Sequence, residues 1–117
     1  MEIDFNNTTP IYLQLVDLFK SDIISGKYTP GEKIPSVREL AQELKVNPNT
    51  IQKALTELED INLIYTERTN GKYVTNDQKI INKLKASQAD ELTNKYIQDM
   101  KKLGLTIEEI KETIGGK

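Results

Sequence analysis

Apolar positions along the chain change their period near residue 62, and that change separates helical stretches from strand-like ones. Ile11, Leu15, Leu18, Phe19 and Ile23 recur at the spacing of one helix face. Thr9-Pro10 offers a cap residue followed by proline at the first helical position, and Gly26 is suited to end the helix. The pattern therefore predicts a helix from Ile11 to Ser25, then a turn through Lys27-Tyr28-Thr29-Pro30-Gly31. Val37, Leu40, Ala41 and Leu44 predict a second, short helix, opened by a capping box of Ser36 and Glu39. Asn47-Pro48 repeats the cap-then-proline signal, and Ile51, Ala54, Leu55, Leu58 and Ile61 supply the stripe of a third helix. Two capped helices separated by so short a link form a helix-turn-helix pattern.

Beyond Asn62 the runs 63–67 and 72–75 read as strands around Thr69-Asn70-Gly71, a hairpin signal. A hairpin directly after a helix-turn-helix is a wing. Asn76-Asp77 can cap a fourth helix reaching about Leu103, ended by Gly104. Thr106 and Glu109 form another capping box ahead of Ile107, Ile110 and Ile114. The expected fold is mainly α with a small β-hairpin. Residues 1–76 form a winged helix-turn-helix, and residues 77–117 a C-terminal helical dimerisation segment.

Composition removes several classes. Of 117 residues none is Cys and none is His, so the common general base, the thiol nucleophile and the soft metal ligands are missing. No acid/base cluster converges, so the chain is not expected to be an enzyme, nor to hold a cofactor or a metal. No apolar run approaches a bilayer-spanning length, and the start lacks the basic and apolar regions of a signal peptide. These features predict a cytoplasmic protein without a membrane partner. The net charge of −2 argues against bulk attraction to nucleic acid. Residues 1–76 hold 8 Lys and Arg against 11 Asp and Glu, whereas residues 77–117 hold 8 against 7. A DNA site must therefore be a local face with the acids turned away.

Such a face is present in the pattern. The second helix of a helix-turn-helix enters the major groove, with its first residues meeting base edges. Its outward positions here are Asn49, Thr50, Gln52, Lys53 and Thr56. Asn and Gln suit adenine, Thr a thymine methyl or a phosphate, and Lys53 a phosphate or guanine. Glu57, Glu59 and Asp60 fall in the far half. Arg38 and Arg68, the only arginines, lie on the two elements flanking this helix. Lys33 and Lys72 can add phosphate contacts, and Arg68 and Lys72 flank the hairpin tip.

The strings Pro35-Ser36-Val37-Arg38-Glu39-Leu40-Ala41 and Val46-Asn47-Pro48-Asn49-Thr50-Ile51-Gln52-Lys53-Ala54-Leu55 closely resemble GntR-family winged-helix regulators. Thr9-Pro10-Ile11-Tyr12-Leu13-Gln14-Leu15 and the approach from Tyr28 to Pro35 fit as well. The short tail is similar to the YtrA-like branch, which lacks a large effector domain. The resemblance spans roughly residues 8–114. It implies DNA contacts for Arg38, Asn49, Thr50, Gln52 and Lys53, with Gly71 at the wing; Ser36 and Asn47 join the expected set. Many members carry Arg in place of Pro48, and Arg or Lys in place of Gln52. The family wing reads Arg-x-Gly-x-Gly-Thr-Phe-Val, where this chain has Arg68-Thr69-Asn70-Gly71-Lys72-Tyr73-Val74. The resemblance further implies regulation, often of transporter genes encoded nearby.

The tail argues for a second copy. Ile81, Leu84, Leu92, Tyr96, Met100 and Leu103 form one apolar side of the fourth helix, too long for a small winged helix to cover. The economical solution is a homodimer, with fold-back of the last helix as part of it. The expected partner is a double-stranded, palindromic operator; the small-molecule effector is unknown from sequence. A winged helix that binds protein instead is the competing reading, consistent with the acidic balance.

Overall fold

The computed structural model describes residues 3–117, so the first two positions of the expected 1–76 domain lie outside the described residues. The element order is α1 (Ile11–Ile24), α2 (Val37–Leu44), α3 (Pro48–Asp60), β1 (Ile64–Glu67), β2 (Gly71–Val74), α4 (Gln78–Lys102) and α5 (Ile107–Gly115). The chain divides into two compact units, the first ending at Asn82 and the second spanning Lys83–Lys117. The first turn of α4 thus belongs with the wing.

In the first unit α3 is the hub, packed against α1, α2 and β1. Its buried residues Ile51, Ala54, Leu55 and Leu58 meet a core completed by Leu15, Phe19, Ile23, Leu40, Leu63, Ile64 and Val74. Each large side chain so buried stabilises the fold by about 1.5–3 kcal/mol relative to exposure. Ile81 joins this core at 4% exposure.

The caps explain most element boundaries. Ser36 Oγ accepts the Glu39 amide at 3.1 Å while Glu39 Oε1 accepts the Ser36 amide at 3.3 Å, completing the capping box of α2. Asn47 Oδ1 accepts the Asn49 amide at 2.8 Å, with Pro48 at the first turn of α3. Between them Lys45 takes a left-handed conformation (φ 56°), ending α2 and setting the turn.

Helix α1 begins at Ile11 as expected, but its cap differs. Thr9 does not cap it: Pro10 holds the cap position without a side-chain bond. Asn6 organises the approach instead, its Oδ1 accepting the amides of Thr8 and Thr9, and the Gln14 carboxamide bonds Asn6 and Thr9. Ile11, expected on the buried stripe, is 43% exposed.

The hairpin forms at the expected place: Glu67 pairs with Gly71, so Arg68, Thr69 and Asn70 make a three-residue connection. The Asn70 amide donates to Glu67 O at 3.3 Å, and Gly71 has φ +107°, a conformation that favours glycine. An isolated β-bridge onto β2 was not expected. The Ile34 amide donates to Lys72 O, and the Val74 amide donates to Glu32 O, both at 2.9 Å. Lys33 bridges Tyr73, whose ring stacks on the cross-strand Tyr65.

In the second unit α4 continues to Lys102, the chain turns at Gly104, and Thr106 and Glu109 form the capping box of α5. The Tyr96 hydroxyl bonds Thr113 Oγ1, joining the two helices, and Ile110 is buried. Leu92 and Leu103 stay 70% and 75% exposed, and Ile114 60%. Among the described residues no helix is long and apolar enough to cross a membrane.

Candidate nucleic-acid interface

Burial divides α3 lengthwise. Asn49, Gln52, Lys53 and Thr56 are exposed, spaced as one outward stripe, while Thr50 is half-buried at the margin. The Thr56 hydroxyl donates to Gln52 O at 2.9 Å, leaving the Gln52 carboxamide with only a long 3.4 Å contact to Thr56 Oγ1. That carboxamide can turn outward and offer the donor and acceptor that an adenine edge requires. Asn47 caps the helix with its oxygen.

Arg38, in the first turn of α2, is exposed and has no ion-pair partner among the described residues. It borders an open hollow of about 520 Å³ that Val37, Ala41, Gln42, Val46 and Pro48 also line. Arg38 and Pro48, the first residue of α3, thus border the same hollow. A second cavity, of about 290 Å³, is lined by Lys33, Ser36 and Val37 on one side and Asn70, Gly71 and Lys72 on the other. Lys33 therefore lies beside the wing, placed there by the unexpected pairing of residues 31–34 with β2. The signal for that bridge is slight: a lone apolar Ile34 whose following Pro35 holds it extended. Arg68 stands exposed in the wing connection, without an ion pair among the described residues.

Two expected cations are already engaged. The Lys53 ammonium lies 3.8 Å from the Tyr12 ring centroid, a cation–π contact that holds it toward α1. Lys72 is paired with Glu59 and donates to Thr66 Oγ1 at 2.8 Å. Glu59 thus faces the wing, while Glu57 and Asp60 remain exposed in the far half of α3. Ile81, expected at a dimer contact, is buried inside the first unit because the opening turn of α4 packs there, and adds no apolar surface to an interface. No metal-holding group of His, Cys, Asp and Glu is gathered among the described residues.

Residues 11–74, which hold α1 to β2 and every candidate DNA contact, match the family described as bacterial regulatory proteins, gntR family. The chain belongs to the GntR family. A GntR-family transcriptional regulator from Listeria monocytogenes superposes with a TM-score of 0.90 at 43% identity, over 97% of this chain and 99% of that one. The HTH-type transcriptional repressor YtrA of Bacillus subtilis (strain 168) is 36% identical over 97% of this chain and 88% of its own length. The crystal structure of AraR(DBD) in complex with operator ORX1 matches 64% of this chain and 96% of that chain, with 32% identity and a TM-score of 0.59. The protein is thus a DNA-binding transcriptional regulator of the GntR family, on its short, YtrA-like branch.

Proposed function

We propose that this regulator is a repressor that acts as a homodimer on an inverted-repeat operator, with transporter genes encoded nearby among its targets. The observation that carries the DNA-reading part is the exposed stripe of Asn49, Gln52 and Thr56 on α3, together with Arg38 on α2, exposed and without an ion pair among the described residues. Asn49 and Gln52 read base edges, Thr50 and Lys53 meet the backbone, and Arg38 forks onto a phosphate or guanine. Ser36 and Asn47 present helix starts to phosphates, with Lys33 and Arg68 adding charge from the wing. Repression is supported by the name of the YtrA relative. A dimer is supported by Leu92 and Leu103, large apolar residues left in water in a single copy.

Selection of bound sequences from random duplexes tests the reading. An enriched inverted repeat is expected, with Arg38→Ala weakening all binding and Gln52→Ala relaxing one position by about 1–3 kcal/mol of discrimination. If nothing is enriched and both variants behave like the parent, the wing and α3 serve a protein partner, which the net charge of −2 permits.

A further inference from the structure

The wing is built from two four-residue strands, already anchored by the buried Ile64 and Val74 and by backbone bonds from residues 31–34 to β2. If wing and recognition helix are to meet adjacent grooves together, a side-chain tie to α3 further fixes their relative angle. Lys72 stands on β2 directly across from Thr66 on β1. Its ammonium donates to Thr66 Oγ1 at 2.8 Å and to Glu59 Oε1. Glu59 lies in the last turn of α3, next to the helix end at Asp60. One lysine head therefore joins both wing strands to the recognition helix. The Lys72 side chain is only 19% exposed and that of Glu59 31%, so solvent screens this pair less than the open pair Lys95–Asp99 at 75% and 52%.

Charge reinforces the point. A lysine serving a phosphate keeps its donors turned outward, whereas Lys72 directs two of its three into the protein. The free cations of this region are Arg38, Lys33 and Arg68, none with an ion-pair partner among the described residues. Resting on the DNA-reading function proposed above, we infer that Lys72 is a positioning residue and not a DNA ligand: its pair with Glu59 locks the wing to the recognition helix. The lock holds Arg68 in fixed relation to Asn49 and Gln52. It also reverses the sign expected for Glu59. Removing an acid near DNA ordinarily strengthens binding by relieving repulsion; here removing Glu59 frees the wing and weakens operator binding.

The test uses the full chain as Glu59→Gln, Lys72→Gln, the double variant and the charge-swapped pair Glu59→Lys/Lys72→Glu. Binding to the selected operator and to a scrambled duplex is measured across salt concentration. Amide hydrogen exchange of residues 64–74 is followed in the DNA-free protein. Each single variant is expected to bind the operator roughly fivefold more weakly, with the double variant no worse than either and the swap recovering most of the loss. The salt slope stays that of the parent, and wing amides exchange faster in both single variants. A slope reduced by about one in Lys72→Gln, with equal weakening on the scrambled duplex and no loss in Glu59→Gln, makes Lys72 a phosphate ligand and overturns the inference. Unchanged wing exchange in Glu59→Gln overturns the lock alone. A parent protein that selects no sequence overturns the proposed function, and with it any part for Lys72 in DNA reading.

Discussion

Arg38 and Lys72 carry the same charge on neighbouring elements, yet their surroundings give them different work. Arg38 is exposed and unpaired among the described residues, so its planar fork is available to a phosphate or a guanine edge. Lys72 is turned inward onto Glu59 and Thr66. Lys53 is intermediate: exposed, but resting over Tyr12, so it sits at the α1 side of the reading face. Away from that face, Tyr28 stacks on Phe19 with ring centroids 6.2 Å apart. Burial, and then the carboxylates of Asp22, Glu43 and Glu32, push its pKa above the usual 10.0. The sign of the linkage follows. Below pH 10 the phenol is neutral in both states and the folded protein bears no cost; above it the unfolded chain ionises first, so stability falls as pH rises through the raised folded pKa. Tyr28→Phe should leave the urea midpoint near neutrality little changed and lessen the alkaline loss. Equal alkaline losses in both proteins would show that Tyr28 is not the group responsible.

At the scale of the element, what sequence revealed and what it hid follow from the range of the forces involved. Helices α2, α3 and α5 were legible because their starts are settled locally, by Ser36 with Glu39, Asn47 with Pro48, and Thr106 with Glu109. The start of α1 at Ile11 was legible too, but the bracing of its approach by Asn6 and Gln14 across eight residues was not. The β-bridge at Lys33 was hidden for the same reason: the backbone bonds of residues 31–34 go to β2, some forty residues onward in the chain, and only Ile34 marks it. The outward stripe of α3 follows from helical period alone, whereas the engagement of Lys53 by Tyr12 and of Lys72 by Glu59 depends on tertiary packing that no spacing encodes. The cap of α2 gives a test at this scale. Ser36 serves both as cap and as a candidate phosphate contact, and glycine, which also tolerates the cap position, separates the two. Ser36→Ala should cost about 1 kcal/mol in stability and Ser36→Gly only a few tenths, by denaturant unfolding. DNA affinity lost equally in the two variants would assign a hydroxyl–phosphate contact; loss only in Ser36→Ala would make the residue a cap and nothing more.

For the whole molecule, the acidic balance and the DNA-binding role are reconciled by where charges lie and, in the proposed homodimer, by copy number. Glu59 is paired with Lys72, while Arg38, Lys33 and Arg68 are exposed and without an ion pair among the described residues. So few free cations give one reading head modest affinity, since each phosphate neutralised contributes only one increment of counterion release. In the proposed homodimer, two joined heads multiply that modest affinity through effective concentration. The second unit is the surface proposed to join them. Leu92 and Leu103 are 70% and 75% exposed, whereas Ile110 is already buried, so the former can be altered without disturbing the packing of a single copy. Leu92→Glu places a charge on that apolar surface, and helix propensity is nearly unchanged by the exchange. Sedimentation at micromolar concentration should then show monomer where the parent shows dimer, with an unchanged helical circular-dichroism signal. Affinity for the full inverted repeat should fall roughly 100-fold while affinity for an isolated half-site stays the same. Parallel loss on both duplexes would place the damage in the reading head, and an intact dimer would move the interface away from the face that Leu92 occupies.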